Sequence, residues 1–206
     1  INNIAIAAEY LLQEKGAKKI AIIDLDLHHG NGTQEIFWNR GEVSYISIHQ
    51  APFYPGTGAL YEIGGEGGEG ATLNLPIPSF SGDQAYKTLV SEIIIPYLND
   101  QKPEILLISF GFDTHWRDPL GSMQVSGNCI YRMLIDFRLW AEKHCSGRVA
   151  VLLEGGYDLE AGRISGQAVG AALVDQPWED PLGNSPIDER DVWQETLNEA
   201  KDFWGY

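Results

Sequence analysis

Residues 19–34 read KIAIIDLDLHHGNGTQ. Lys19–Asp24 is a short, β-branched apolar run, as expected for a strand buried on both faces of a parallel sheet. The residues after it are suited to chemistry. In an extended segment alternate side chains share a face. Asp24, Asp26 and His28 therefore project together, with Leu25 and Leu27 opposite. Two carboxylates and an imidazole crowded at a strand end are poorly solvated and repel unless a cation sits among them. Zinc accepts both Asp oxygen and His nitrogen. Gly30 and Gly32 allow a tight backbone path beside such a site.

Outward from this stretch, strand and helix signals alternate. Ile1–Gln13 reads as a helix, with Ile4, Ala7, Ala8, Leu11 and Leu12 on one face and Gly16 as its stop. Thr33–Trp38 reads as a helical turn after a glycine-rich loop. Val43–His49 is a second strand. Ala51–Gly70 is a loop rich in Gly and Pro; its GGEGGEG run lacks the Lys-Ser/Thr ending of a phosphate cradle. Ala71–Pro76 is a further strand and Asp83–Leu98 an amphipathic helix. Glu104–Phe110 and Arg148–Glu154 are buried strands, separated by a helix at Asn128–His144. Ala161–Val174 is a small-residue helix. Asp175–Pro186 is a Pro-containing link, and Asp188–Phe203 an acidic terminal helix. The pattern predicts an α/β fold, three layers α-β-α around a mainly parallel sheet. Residues 1–175 then form one unit, and residues 176–206 a link and helix packed on it. Sites in such sheets lie at the carboxyl ends of the strands.

Two more strand ends carry polar residues. Ser109–Gly121 reads SFGFDTHWRDPLG, which puts Asp113 where a strand stops. It can cap a helix or supply a third metal ligand. With Asp26 and His28 it would leave a fourth position for water, as a catalytic zinc requires. Leu152–Asp158 reads LLEGGYD. The two glycines let backbone approach a ligand, and Tyr157 could aim its hydroxyl at a developing oxyanion. His115 and Trp116 are read as rim or packing residues.

Composition narrows the classes. Of 206 residues 44% are hydrophobic and 21% charged, which is globular usage. No apolar run reaches the ~18 residues of a membrane span. Lys and Arg total 14 against 29 acids, a net charge of −15 with no basic cluster, which excludes a nucleic-acid-binding module. An acidic surface suits cationic ligands such as lysine-rich tails or polyamines. Two cysteines, Cys129 and Cys145, are too few for a disulfide framework and fit a reduced, cytoplasmic setting. No stretch reads as a signal peptide.

DLDLHHGNGTQ, GFDTHWRDPLG and EGGYD, in this order and spacing, resemble the zinc-dependent histone deacetylase superfamily. That group also holds acetylpolyamine and acetoin-utilisation proteins and shares the arginase-like fold. The resemblance covers roughly Ile1–Leu173 and implies the following assignments. Asp26, His28 and Asp113 match the zinc ligands, one ion per chain. Tyr157 matches the tyrosine that hydrogen-bonds the substrate carbonyl. Asp24 matches the carboxylate that orients a catalytic His and contributes to a potassium site. Ser47 and the main-chain carbonyls of Asp24, Asp26, His28 and Ile48 complete that site. Phe37, Arg40 and Val43 match a second potassium site. Tyr54, Gly155, Gly156 and Leu120 match the walls and mouth of an acyl-lysine channel. Asn31 matches a position that supports the site without touching the metal. Asn31 and Glu154 look like class II and its bacterial and archaeal relatives. Leu120 stands where a polyamine-preferring branch carries Glu, which favours acetyl-lysine over acetylpolyamine.

The resemblance also implies the reaction, hydrolysis of an N-acetyl amide. Its acid and base are a His-His pair lying before the stretch that Ile1–Ala8 resembles. The five histidines here are His28, His29, His49, His115 and His144. Only His28 and His29 adjoin, and His29 has the wrong strand parity to face the metal. The expectation is a C-terminal portion of the domain, with little turnover by itself and an open sheet edge. Two other readings are a metal-binding pseudoenzyme and an arginase-fold hydrolase with two manganese ions. Retention of Tyr157 opposes the first, and a single-metal ligand set opposes the second.

Overall fold

The computed structural model describes residues 1–206. Its sheet has five parallel strands: β1 (Ile20–Asp24), β2 (Val43–Gln50), β3 (Thr72–Ile77), β4 (Ile105–Phe110) and β5 (Val149–Leu153). The helices are α1 (Asn3–Lys15), α2 (Asn31–Phe37), α3 (Asp83–Leu89), α4 (Ile95–Gln101), α5 (Gly127–His144), α6 (Leu159–Leu173) and α7 (Trp193–Trp204). No helix is long and apolar enough to cross a membrane.

β1 shows why the sheet is sandwiched. Ile20 and Ile22 pack with Ile4, Ala8 and Phe37 under α1 and α2, whereas Ala21 and Ile23 enter the larger core on the other side. Period-two alternation in an all-apolar strand supplies both layers. The larger core is closed by α3 to α7, with Tyr86, Tyr97, Phe137 and Trp193 fully buried. This is the three-layer α/β arrangement expected from the sequence.

Strand order is β3-β2-β1-β4-β5. The chain runs outward from β1 through β2 to β3, then returns to lay β4 on the free side of β1. The direction of winding therefore reverses between β1 and β4. At such a switch point the loops leaving the carboxyl ends of adjacent strands diverge and open a crevice. Asp24 pairs in register with Ser109 of β4 and Ser47 of β2. Everything that follows these three positions is thus delivered to one end of the sheet.

The single helix expected over Asp83–Leu98 is split. Between α3 and α4 the chain widens into a π turn at Val90–Ile94. Pro96, near the start of α4, is the cause. It has no N–H to donate, and its ring crowds the carbonyl one turn back. α7 lies against β3, where the Thr196 hydroxyl donates to the Pro76 carbonyl at 2.8 Å.

Candidate metal centre

Asp26 and His28 leave β1 in the loop before α2, and Asp113 leaves β4 in a single 3-10 turn, Phe112–Thr114. The three side chains converge, with one donor atom from each inside 4.8 Å. His28 Nδ1 lies 3.2 Å from Asp26 Oδ1 and 3.3 Å from Asp113 Oδ2. Backbone N–H groups fix both carboxylates. His28 N donates to Asp26 Oδ1 at 2.8 Å, Gly155 N to Asp26 Oδ2 at 3.0 Å, and Leu27 N to Asp113 Oδ1 at 3.0 Å.

Asp113 Oδ2 remains. It is buried and has no hydrogen-bond partner. Burial, then the charge of Asp26, raises the Asp113 carboxyl well above the ordinary carboxylate range. Hydrogen bonding to Asp26 raises the His28 imidazole. A buried acceptor aimed at an imidazole nitrogen and a second carboxylate is costly until a cation neutralises the group. Two carboxylate oxygens and one imidazole nitrogen are a donor set that zinc accepts. The residues present therefore fit the ion. Backbone presses close on this cluster. A Cβ on Gly155 would stand 2.8 Å from Asp26 Oδ2 and closer still to Asp113 Oδ2, so only glycine fits.

Asp24 is buried behind the trio. Its Oδ1 accepts the Asp26 N–H at 3.1 Å and its Oδ2 the Tyr45 hydroxyl at 2.9 Å. Desolvation, then Asp26, raises its carboxyl well above the usual range. Ser109 donates its hydroxyl to Glu154 Oε1 at 2.6 Å. Asp24, Asp26, His28, Ser109 and Glu154 share a recess of about 410 Å³.

Other sequence-derived positions spread around this centre. Ser47 and Ile48 are fully buried on β2, and no N–H or O–H of the chain reaches the carbonyls of Asp26 and His28. The Phe37 and Arg40 carbonyls accept the N–H groups of Arg40 and Val43, which leaves each a second lone pair. Tyr54 is exposed and stands edge-on to His28, centroids 6.3 Å apart. Gly156 packs on Phe112 at a φ of 126°. The N–H of Tyr157 is held by Asp118 Oδ2 at 2.7 Å, while its ring is 57% exposed. Leu120 is exposed, and its N–H donates to the other oxygen of the same carboxylate, Asp118 Oδ1, at 3.0 Å.

Asn31 departs from expectation. It opens α2, faces solvent and makes no side-chain hydrogen bond. The turn after His29 starts the helix at once, and this rotates Asn31 outward. Gln34, one helical turn on, reaches His29 Nε2 instead at 3.0 Å. His115 is buried, and the Trp116 indole donates to the Gly183 carbonyl at 3.2 Å, so both serve packing. Phe53 was missed: its ring lies 5.4 Å from His28, nearer than Tyr54. The adjacent apolar Phe in PFYPGTG was the available signal.

Residues 1–173 match the histone deacetylase domain. The chain is 46% identical over 160 residues to a probable deacetylase of Archaeoglobus fulgidus, covering 78% of this chain and 44% of that protein. It is 45% identical over 159 residues to histone deacetylase 14, chloroplastic, of Arabidopsis thaliana, covering 77% and 38%. A histone deacetylase-like amidohydrolase of Pseudomonas aeruginosa is 38% identical over 156 residues, covering 75% and 41%. The chain thus spans about two fifths of the length of these relatives. Among solved structures, the HDA15 HD domain superposes with a TM-score of 0.85 at 36% identity, covering 98% of this chain and 54% of that one. The histone deacetylase Clr3 gives 0.87 at 29%, covering 98% and 34%.

Proposed function

The chain belongs to the histone deacetylase domain family, and from that premise we propose that it carries the metal-binding part of a zinc-dependent deacetylase site. The reaction is hydrolysis of an N-acetyl amide, with water consumed and acetate and a free amine released. Acetyl-lysine in a protein is the substrate, since Leu120 gives the mouth of the site an apolar residue rather than an anion for a polyamine. The observation that carries the reading is the convergence of Asp26, His28 and Asp113 around the orphaned Asp113 Oδ2.

Asp26, His28 and Asp113 would hold the zinc. When bound, it supplies a Lewis acid that polarises the amide carbonyl and acidifies water. The rest falls to the chain. Gly155 and Leu27 N–H groups keep the two carboxylates aimed at the centre. Phe53 and Tyr54 wall the approach to His28 and exclude water from one side. Tyr157, freed by Gly155 and Gly156, donates its hydroxyl to the carbonyl oxygen as negative charge develops there. Asp24 offers an acceptor that would orient an imidazole entering the recess. The carbonyls of Asp24, Asp26, His28 and Ile48 with Ser47 would hold potassium, and those of Phe37, Arg40 and Val43 a second. Residues 1–175 would be part of a catalytic domain, and residues 176–206 its link and covering helix.

The leaving amine needs a proton and the attacking water a base. Neither is at hand among the histidines: both ring nitrogens of His29 and of His49 are engaged in hydrogen bonds, His115 is buried beside Trp116, and His144 stacks on Trp140 of α5. The 206-residue chain is therefore expected to take up one zinc, read by elemental analysis after dialysis, yet to release little acetate from an acetyl-lysine peptide or an acetylpolyamine. Uptake of two manganese ions would overturn the metal assignment. Turnover like that of an intact family member would overturn the need for the upstream pair.

A further inference from the structure

The loop that carries Phe53 and Tyr54 has no secondary structure of its own. Residues 52–58 make no backbone-to-backbone hydrogen bond. Their only hydrogen bonds to the rest of the chain are three, and all reach one buried polar lattice. Thr57 Oγ1 lies 2.7 Å from His29 Nδ1. The Gly58 carbonyl lies 3.1 Å from His49 Nε2, and the Gly58 N–H donates to Glu62 Oε2 at 3.1 Å.

The lattice closes on itself. Glu62 Oε2 also accepts Gln34 Nε2 at 2.7 Å, so the Gln34 oxygen faces His29 Nε2 at 3.0 Å. Asn74 of β3 donates to that same oxygen at 2.7 Å. Ser47 Oγ lies 3.0 Å from His49 Nδ1. The partners fix the tautomers: both imidazoles carry their proton on Nε2, and the Thr57 and Ser47 hydroxyls donate to Nδ1. The two rings stand 4.8 Å apart. Gly58 is wedged between them, since a Cβ there would sit 2.6 Å from both. His29 adjoins His28, so one residue faces the carboxylates and the next faces the lattice.

We propose that His29, His49 and Glu62 are positioning residues that fix the Phe53–Tyr54 wall against His28 and so set how closely the site grips the acyl-lysine stem. The proposal rests on the deacetylase reading for the identity of the stem, but not for the mechanical link. That link has its own readout. In the full 206-residue chain, Thr57→Val removes the donor to His29 and keeps the shape. Glu62→Gln weakens the anchor of Gly58. Both should move the ring-proton NMR signals of His28, through the changed ring current of Phe53, and Thr57→Ser should restore them. Both should also weaken an acetyl-lysine peptide on the zinc-loaded chain about five-fold, the scale of one net hydrogen bond, with zinc affinity unchanged. His28 signals that stay fixed in both folded variants would overturn the proposal. A wild-type chain that binds no peptide, with the His28 signals moving as stated, would count against the deacetylase reading instead.

Discussion

At the residue scale the centre is a balance between desolvated negative charge and close backbone. Three carboxylates, Asp24, Asp26 and Asp113, gather past the carboxyl ends of β1 and β4, and burial raises two of them. Such a group persists when N–H donors fix it and a cation completes it. The glycines are what let those donors approach. Gly155→Ala would drive a methyl group against Asp26 and Asp113, so zinc affinity should fall about ten-fold or more, as when the shell that orients metal ligands is disturbed. Competition with a chromogenic chelator measures this, and unchanged affinity in a folded variant would refute the stated contact. That Asp26, His28 and Asp113 come together was legible from the strand ends, though Asp26 and His28 meet Asp113 from a bend past β1, held by the Asp24 and Asp26 side chains, and not from an extended strand. Gln34, Glu62 and Phe53 were not legible. Their roles depend on where a loop without secondary structure folds back, and no local periodicity encodes that.

Elements were legible to the degree that their signals are local. The apolar runs placed all five strands to within a residue or two; for β1 to β4 burial leaves little alternative, whereas β5, expected to be buried, is a half-exposed edge strand with Leu153 open to solvent because no further strand pairs with it. Helix boundaries shifted more. α2 begins at Asn31 rather than Thr33, and the long helix over Asp83–Leu98 breaks at a π turn because Pro96 removes a donor. Caps supplied from afar were not legible. Gly82 precedes α3 and has no side chain to cap it, so Glu189 comes from the C-terminal link to accept the Gln84 and Ala85 N–H groups, each at 2.8 Å. Asp180 does the same for α5, taking the Gly127 N–H at 2.7 Å. The acidic link is thus a source of helix caps as well as a connector. Glu189→Ala should cost about 0.5–2 kcal/mol of stability, the usual worth of a lost N-terminal cap. A urea titration reads it, and a midpoint equal to wild type would show that water caps α3 as well.

For the whole molecule the dominant number is the net charge of −15. Six basic residues join acidic partners in surface or half-buried ion pairs: Arg40, Lys87, Arg117, Arg138, Arg163 and Lys201. Screening by salt acts in two directions. It weakens these pairs, each worth only about 0–1 kcal/mol when exposed. It also relieves the mutual repulsion of the uncompensated acids, which works against the compact state. Acids outnumber bases by two to one, so relief should win, and the melting temperature should rise between about 20 mM and 0.5 M salt, where the Debye length falls several-fold. The cation used then separates screening from binding. Screening depends on ionic strength alone, so sodium and tetramethylammonium chloride should raise the melting temperature alike. A cation held by the Asp24, Ser47 and Ile48 group adds a further term that grows with the logarithm of its concentration, because it binds the folded chain only. Potassium chloride should therefore stabilise more than sodium chloride at equal strength. Calorimetry in the three salts decides between the contributions: a melting temperature that falls with salt would mean the ion pairs outweigh the repulsion, and identical curves for all three cations would remove the potassium assignment.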